Sequence, residues 1–147
     1  MSKKILYVAE PRVNLDLIVM MVKSQGHSID TANNYDSAKK SIESTKYDDI
    51  FIETNDLRSN VEKIDCNEED IMDFKSEYFG KKLLTDIIRK ENSLNYKTFT
   101  NIILDLHKMP NQLFSEDDYI GNGANLVLYK FESIPEDLPI LIEIQTP

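Results

Sequence analysis

Residues 47–53 read Tyr47-Asp48-Asp49-Ile50-Phe51-Ile52-Glu53. An apolar run of β-favouring residues, entered through acids and left through one carboxylate, describes a short strand buried on both faces that carries an acid at its end. Upstream, Ile5-Leu6-Tyr7-Val8 repeats the pattern and runs into Ala9, Glu10 and Pro11. Between the two lie a helix over 14–25, a strand over 28–32 and a helix over 35–44. The first helix is marked by Leu15, Ile18, Val19 and Val22 at i, i+3, i+4 and i+7, with Gly26 placed to stop it. The second carries Ala38 and Ile42 on one side. Downstream, Leu83, Leu84, Ile87 and Ile88 give a helix over 80–91, and strands follow at 101–104 and 125–129. Strands alternating with helices at this spacing predict right-handed βαβ crossovers: an α/β, doubly wound, five-stranded parallel sheet with helices on both faces.

Length and charge limit what such a chain does. Its 147 residues suit one domain over 1–147, and 41% hydrophobic with 29% charged residues suits a folded core. A net charge of −9 has the wrong sign for wrapping a phosphate backbone, so direct nucleic-acid binding is not expected. The longest apolar run, 17–22, is far below the roughly 20 residues of a membrane helix, and Lys3-Lys4 precede too short an apolar run for a secretion signal. One cysteine, Cys66, permits no internal disulfide and fits a reducing compartment, so a cytoplasmic protein is expected. Cys66 lies among acids, which raise a thiol's pKa and mute its reactivity. His27 and His107 stand apart from any ligand spacing, and Gly121-Asn122-Gly123 precedes a strand, so it reads as a turn.

One stretch breaks the rhythm. Residues 55–79 separate the third strand from its helix by more than the usual 2 to 6 or so residues of a βα connection. This insertion holds eight acids against three bases, so five of the nine net negative charges reside there. Asn67 with Asp70 resembles a capping box, and Ile71, Phe74 and Tyr78 follow at helical spacing, which predicts a short helix over about 68–78 packed on the domain. At the tail, Pro135 and Pro139 precede an apolar 140–144 segment compatible with a last helix.

In an open parallel sheet, functional side chains gather at the carboxyl ends of the strands. That rule selects Glu10, Glu53, Asp105 and Lys130: three carboxylates facing one lysine. The segments carrying them, 5–10 followed by Asn14-Leu15, 47–53, Gly80 with Leu83, Leu84, Ile87 and Arg89, and Gly123-Ala124 to Lys130, together resemble the receiver domain of bacterial response regulators. The resemblance implies a flavodoxin-like (CheY-like) fold. It implies an aspartyl phosphate at the end of strand three and a magnesium ion held by that aspartate and an acidic pair after strand one. It further implies a hydroxyl switch after strand four and a lysine on the phosphoryl group.

This chain keeps part of that set. Glu53 holds the phosphoacceptor position, the acidic pair is reduced to Ala9-Glu10, the switch position falls at Asp105 or Leu106, and Lys130 matches but is followed by Phe131. Losing a ligand at Ala9 weakens magnesium, which demands near-octahedral oxygen coordination, so no cofactor beyond weakly held magnesium is expected. Glu53 reaches one methylene further than aspartate, and misplacing a nucleophile by about 1 Å can cost a factor of about 100. A glutamate also resembles phosphoaspartate in charge, so Glu53 paired with Lys130 is expected to hold one state. The reading is an atypical pseudo-receiver that is not an enzyme and binds protein partners: a kinase, a phosphotransfer protein, an output protein or a second copy. No output domain of its own is expected, so partners are expected to supply the output. Two alternatives stay open: a phosphoaccepting regulator using Glu53, and a small metal-dependent enzyme using Glu10, Glu53 and Asp105.

The first helix nominates the docking surface. At about 100° per residue, Val13, Leu17 and Met20, flanked by Met21, point away from the face built by Leu15, Ile18, Val19 and Val22. A helix on one side of a sheet needs one apolar face, so Leu17, Met20 and Met21 are expected to meet the tail, the insertion or a partner.

Overall fold

The computed structural model describes residues 2–9, 13–53, 75–105 and 115–130, with backbone alone at 13, 14, 75–78, 105, 129 and 130. The elements are β1 (Lys4–Val8), α1 (Val13–Ser24), β2 (Ser28–Ala32), α2 (Tyr35–Ser44), β3 (Asp49–Glu53), α3 (Lys75–Leu94), β4 (Phe99–Asp105), α4 (Glu116–Gly121) and β5 (Leu126–Lys130). All pairings are parallel, in the order β2-β1-β3-β4-β5. The chain moves outward from β1 to β2, then returns past β1 to β3, which makes the gap between β1 and β3 the switch point where a ligand crevice is expected.

Residue parity along the strands divides the core in two. Ile5, Tyr7, Ala9, Phe51 and Ile103 face Leu15, Ile18 and Val22 of α1. Leu6, Val8, Ile50, Ile52, Ile102 and Leu104 face α2 and α3 through Ala38, Ile42, Leu83, Leu84 and Ile87. Both faces are dry because a parallel sheet joined by crossover helices is covered on each side. Helix α1 stops at Gly26, whose φ of +87° an L side chain rarely adopts, while its N–H bonds back to the Lys23 carbonyl. Helix α2 starts on a capping box in which the Asn34 side chain accepts from the Ser37 N–H.

Several expectations need correction or completion. Helix α3 begins at Lys75, five residues before the expected start at 80, so 75–79 belong to it and not to a separate insertion. The expected helix over 68–78 therefore meets α3 at its end. Its earlier part, with Ile71 and Phe74, lies outside the described residues. Phe79, taken as the edge of the insertion, is instead buried and packs on the Tyr35 ring at 5.5 Å. Helix α4, not anticipated, begins on a capping box between Ser115 and Asp118 and buries Tyr119. The tail lies outside the described residues.

Candidate functional site

The carboxyl ends of β1 and β3 meet at the switch point, with Tyr7 opposite Phe51 and Val8 opposite Ile52. Tyr7, Phe51 and Glu53 share the α1 face because side chains two apart in a strand point the same way. The Tyr7 ring stacks on Phe51, with centroids 5.8 Å apart, and its hydroxyl continues along β3 to donate a 2.6 Å hydrogen bond to Glu53 Oε2. Glu53 is 0% exposed, as are Tyr7 and Ala9. Glu53 thus sits inside the fold and accepts a hydrogen bond from a phenol that the strand pattern alone did not assign to it. A hydroxyl-to-carboxylate bond of this length is in the strong, charge-assisted range.

Sequence reasoning missed Tyr7, although a tyrosine in an otherwise aliphatic strand was a visible signal. Its partner became legible only with the register. At the site's far side, Asp105 and Lys130 are directly opposed backbone partners across β4 and β5. Their side chains, and Glu10, lie outside the described residues, as does the expected ion pair of Lys130 with Glu53 or Asp105. Among the described residues no group of three or more His, Cys, Asp or Glu side chains is placed to hold a metal ion. The donor set explains this locally, since the Ala9 side chain supplies no oxygen and Glu53 is turned to Tyr7.

The opposite, amino ends of the same two strands carry a second buried polar group. Lys3 Nζ lies 3.1 Å from Asp49 Oδ2, both residues are buried, and the Lys3 N–H donates to His27 Nδ1 at 3.0 Å. Burial pushes the Asp49 carboxyl above its ordinary pKa, against the opposing pull of Lys3. Asp49 Oδ1 has no hydrogen-bond partner. The two lysines that imitate the start of a signal sequence thus include a core ion-pair residue.

On α1, Leu15, Ile18 and Val22 are buried as the periodicity requires, while Val19, expected on the same face, is half-buried. Leu17 is 47% and Met20 66% exposed, and Met21 is half-buried. The second stripe is therefore exposed at Leu17 and Met20; the insertion and the tail, two of its three expected neighbours, lie outside the described residues. No helix among the described residues is long and apolar enough to cross a membrane.

With this geometry, solved structures of receiver domains superpose over nearly the whole chain. NtrX from Brucella abortus is 20% identical with a TM-score of 0.66, covering 99% of this chain, which spans 27% of the NtrX chain. The receiver domain of the sensor histidine kinase PA1611 from Pseudomonas aeruginosa, with magnesium coordinated in its active-site cleft, is 17% identical with a TM-score of 0.62 over 99% of this chain and 95% of its own. The response regulator TrrA from Thermotoga maritima, in complex with magnesium and BeF, is 18% identical with a TM-score of 0.60 over 98% of this chain and 99% of its own. The fold is therefore the flavodoxin-like, CheY-like fold of response-regulator receiver domains, as the resemblance implied. No protein-family model matches the sequence, and no curated protein matches it.

Proposed function

We propose that this chain is a receiver-like signalling module, one domain over 1–147 with an acidic stretch before α3, that acts by docking other proteins and not by phosphoryl transfer at Glu53. The observation that carries this reading is the burial of Glu53 against the Tyr7 hydroxyl. A phosphoacceptor needs an exposed oxygen, a bound metal and a second carboxylate nearby. Glu53 is enclosed, and Ala9 stands where the resemblance implies an acid. The open stripe of α1 supplies a docking surface, because burying Leu17 and Met20 contributes about 1.5 to 3 kcal/mol each before association entropy is subtracted. Kinases, phosphotransfer proteins and output proteins of a two-component pathway are the partner classes that the receiver fold suggests.

Affinity capture with wild type, Leu17→Asp, Met20→Asp and Glu53→Gln, together with acetyl-phosphate treatment and mass spectrometry, tests the proposal. Partners lost with either helix substitution and kept with Glu53→Gln support docking. The rival reading, a phosphoacceptor at Glu53, draws on the magnesium-bound neighbours. A phosphoryl adduct on Glu53, with partner binding lost in Glu53→Gln, would establish it and end the docking model.

A further inference from the structure

Helices α2 and α3 leave a groove of about 430 Å³ between them, lined by Lys39 and Ile42 from α2 and by Asp86, Arg89, Lys90 and Leu94 from α3. The α3 residues fall at i, i+3, i+4 and i+8, one stripe of a helix whose opposite face is core. The charge of this groove is anomalous. The chain carries 26 acids against 17 bases, yet Lys39, Lys46, Arg89 and Lys90 have no carboxylate within ion-pair distance among the described residues. Lys90 Nζ donates to the Thr45 carbonyl at 3.0 Å and lies 6.0 Å from the centre of the Tyr96 ring, which Lys46 Nζ also approaches, at 5.1 Å. Two ammonium groups are thus gathered on one ring. Burial, and then the charge of Lys46, push the Lys90 pKa down, against the opposing pull of Glu43.

The groove's own acids form no ion pair with these cations. Asp86 accepts from the Tyr35 hydroxyl at 2.5 Å, and Glu43 forms no ion pair with Lys39 or Lys90. The floor is apolar, with Ile42 buried and Leu94 half exposed at the groove's end. The geometry points to a docking site for an acidic peptide segment whose carboxylates, about one helical turn apart, meet Lys39, Arg89 and Lys90 while an apolar side chain covers Leu94. A polyphosphate or nucleic acid fits less well. Glu43 and Asp86 line the groove and repel dense negative charge, and such ligands leave Leu94 in water. This site is separate from the α1 stripe and does not rest on it.

The test is fluorescence anisotropy of a labelled peptide of repeated Glu-Glu-Leu, titrated with the full chain at low salt, with inorganic polyphosphate as competitor. Saturable binding is expected, weakened about tenfold or more by Lys90→Glu and by Arg89→Glu, severalfold by Leu94→Ser, and unchanged by Met20→Asp. Circular dichroism checks each variant, and Lys39→Glu replaces any charge reversal that fails to fold. No saturable binding, competition by polyphosphate with Leu94→Ser without effect, or loss of the peptide in Met20→Asp would each overturn the assignment. The last result would move the peptide to α1 and leave the docking reading of that helix standing.

Discussion

Replacing Tyr7 by phenylalanine deletes one oxygen and little else. The ring keeps its stack on Phe51 and its place in the core, so the loss falls on what the hydroxyl holds, the 2.6 Å bond to Glu53 included. Both partners are 0% exposed, so water does not substitute for the missing donor without opening the fold. Hydrogen bonds to charged groups contribute about 1.5 to 3 kcal/mol, which sets the expected destabilisation at about 2 kcal/mol. For a domain of this size that corresponds to a fall in Tm of about 4 to 8 °C. Urea unfolding followed by circular dichroism measures it, and a cycle with Glu53→Gln and the double variant isolates the pairwise part. A coupling of about 1 kcal/mol or more is expected, with the urea m-value unchanged. If Tyr7→Phe lies within about 0.5 kcal/mol of wild type, or the two substitutions simply add, then Tyr7 does not hold Glu53 and the sealed-site argument fails.

Lys3→Met leaves the Asp49 carboxylate buried without its cation and should cost about 3 to 5 kcal/mol at neutral pH. Burial already holds the folded-state pKa of Asp49 above the ordinary 3.8, and losing Lys3 raises it further. The folded state then binds the proton more tightly than the unfolded chain, so stability recovers as pH falls through the folded pKa toward 3.8. Urea midpoints at pH 7 and near pH 4 that show the same loss would contradict this. Gly123→Ala places a Cβ 2.6 Å from Ile88 Cδ1 at a φ of +110°, and a loss of about 2 to 4 kcal/mol is expected from thermal unfolding. An unchanged Tm would mean that the turn before β5 relaxes freely.

Periodicity and punctuation in the chain determined most of the elements. β2 at Ser28–Ala32 and α2 at Tyr35–Ser44 fall where the alternation and the apolar spacing put them, and the buried set Leu15, Ile18 and Val22 is the helical stripe of α1. Local patterns fail where local signal is thin. The first turns of α3 are mostly polar, Lys-Ser-Glu, and α4 is only six residues long, too short for an apolar stripe, although the Ser115 and Asp118 cap was there to read. Tertiary structure alone decided the two polar contacts at the opposite ends of the central strands. Tyr7 with Glu53 and Lys3 with Asp49 are each separated by 46 residues along the chain and each joins β1 to β3. Such pairs exist only once the register that sets Ile5 beside Asp49 and Tyr7 beside Phe51 is formed, because a shift of one residue turns every side chain to the other face. The sequence supplies the acids and their donors, while the packing of distant strands decides which of them are buried together.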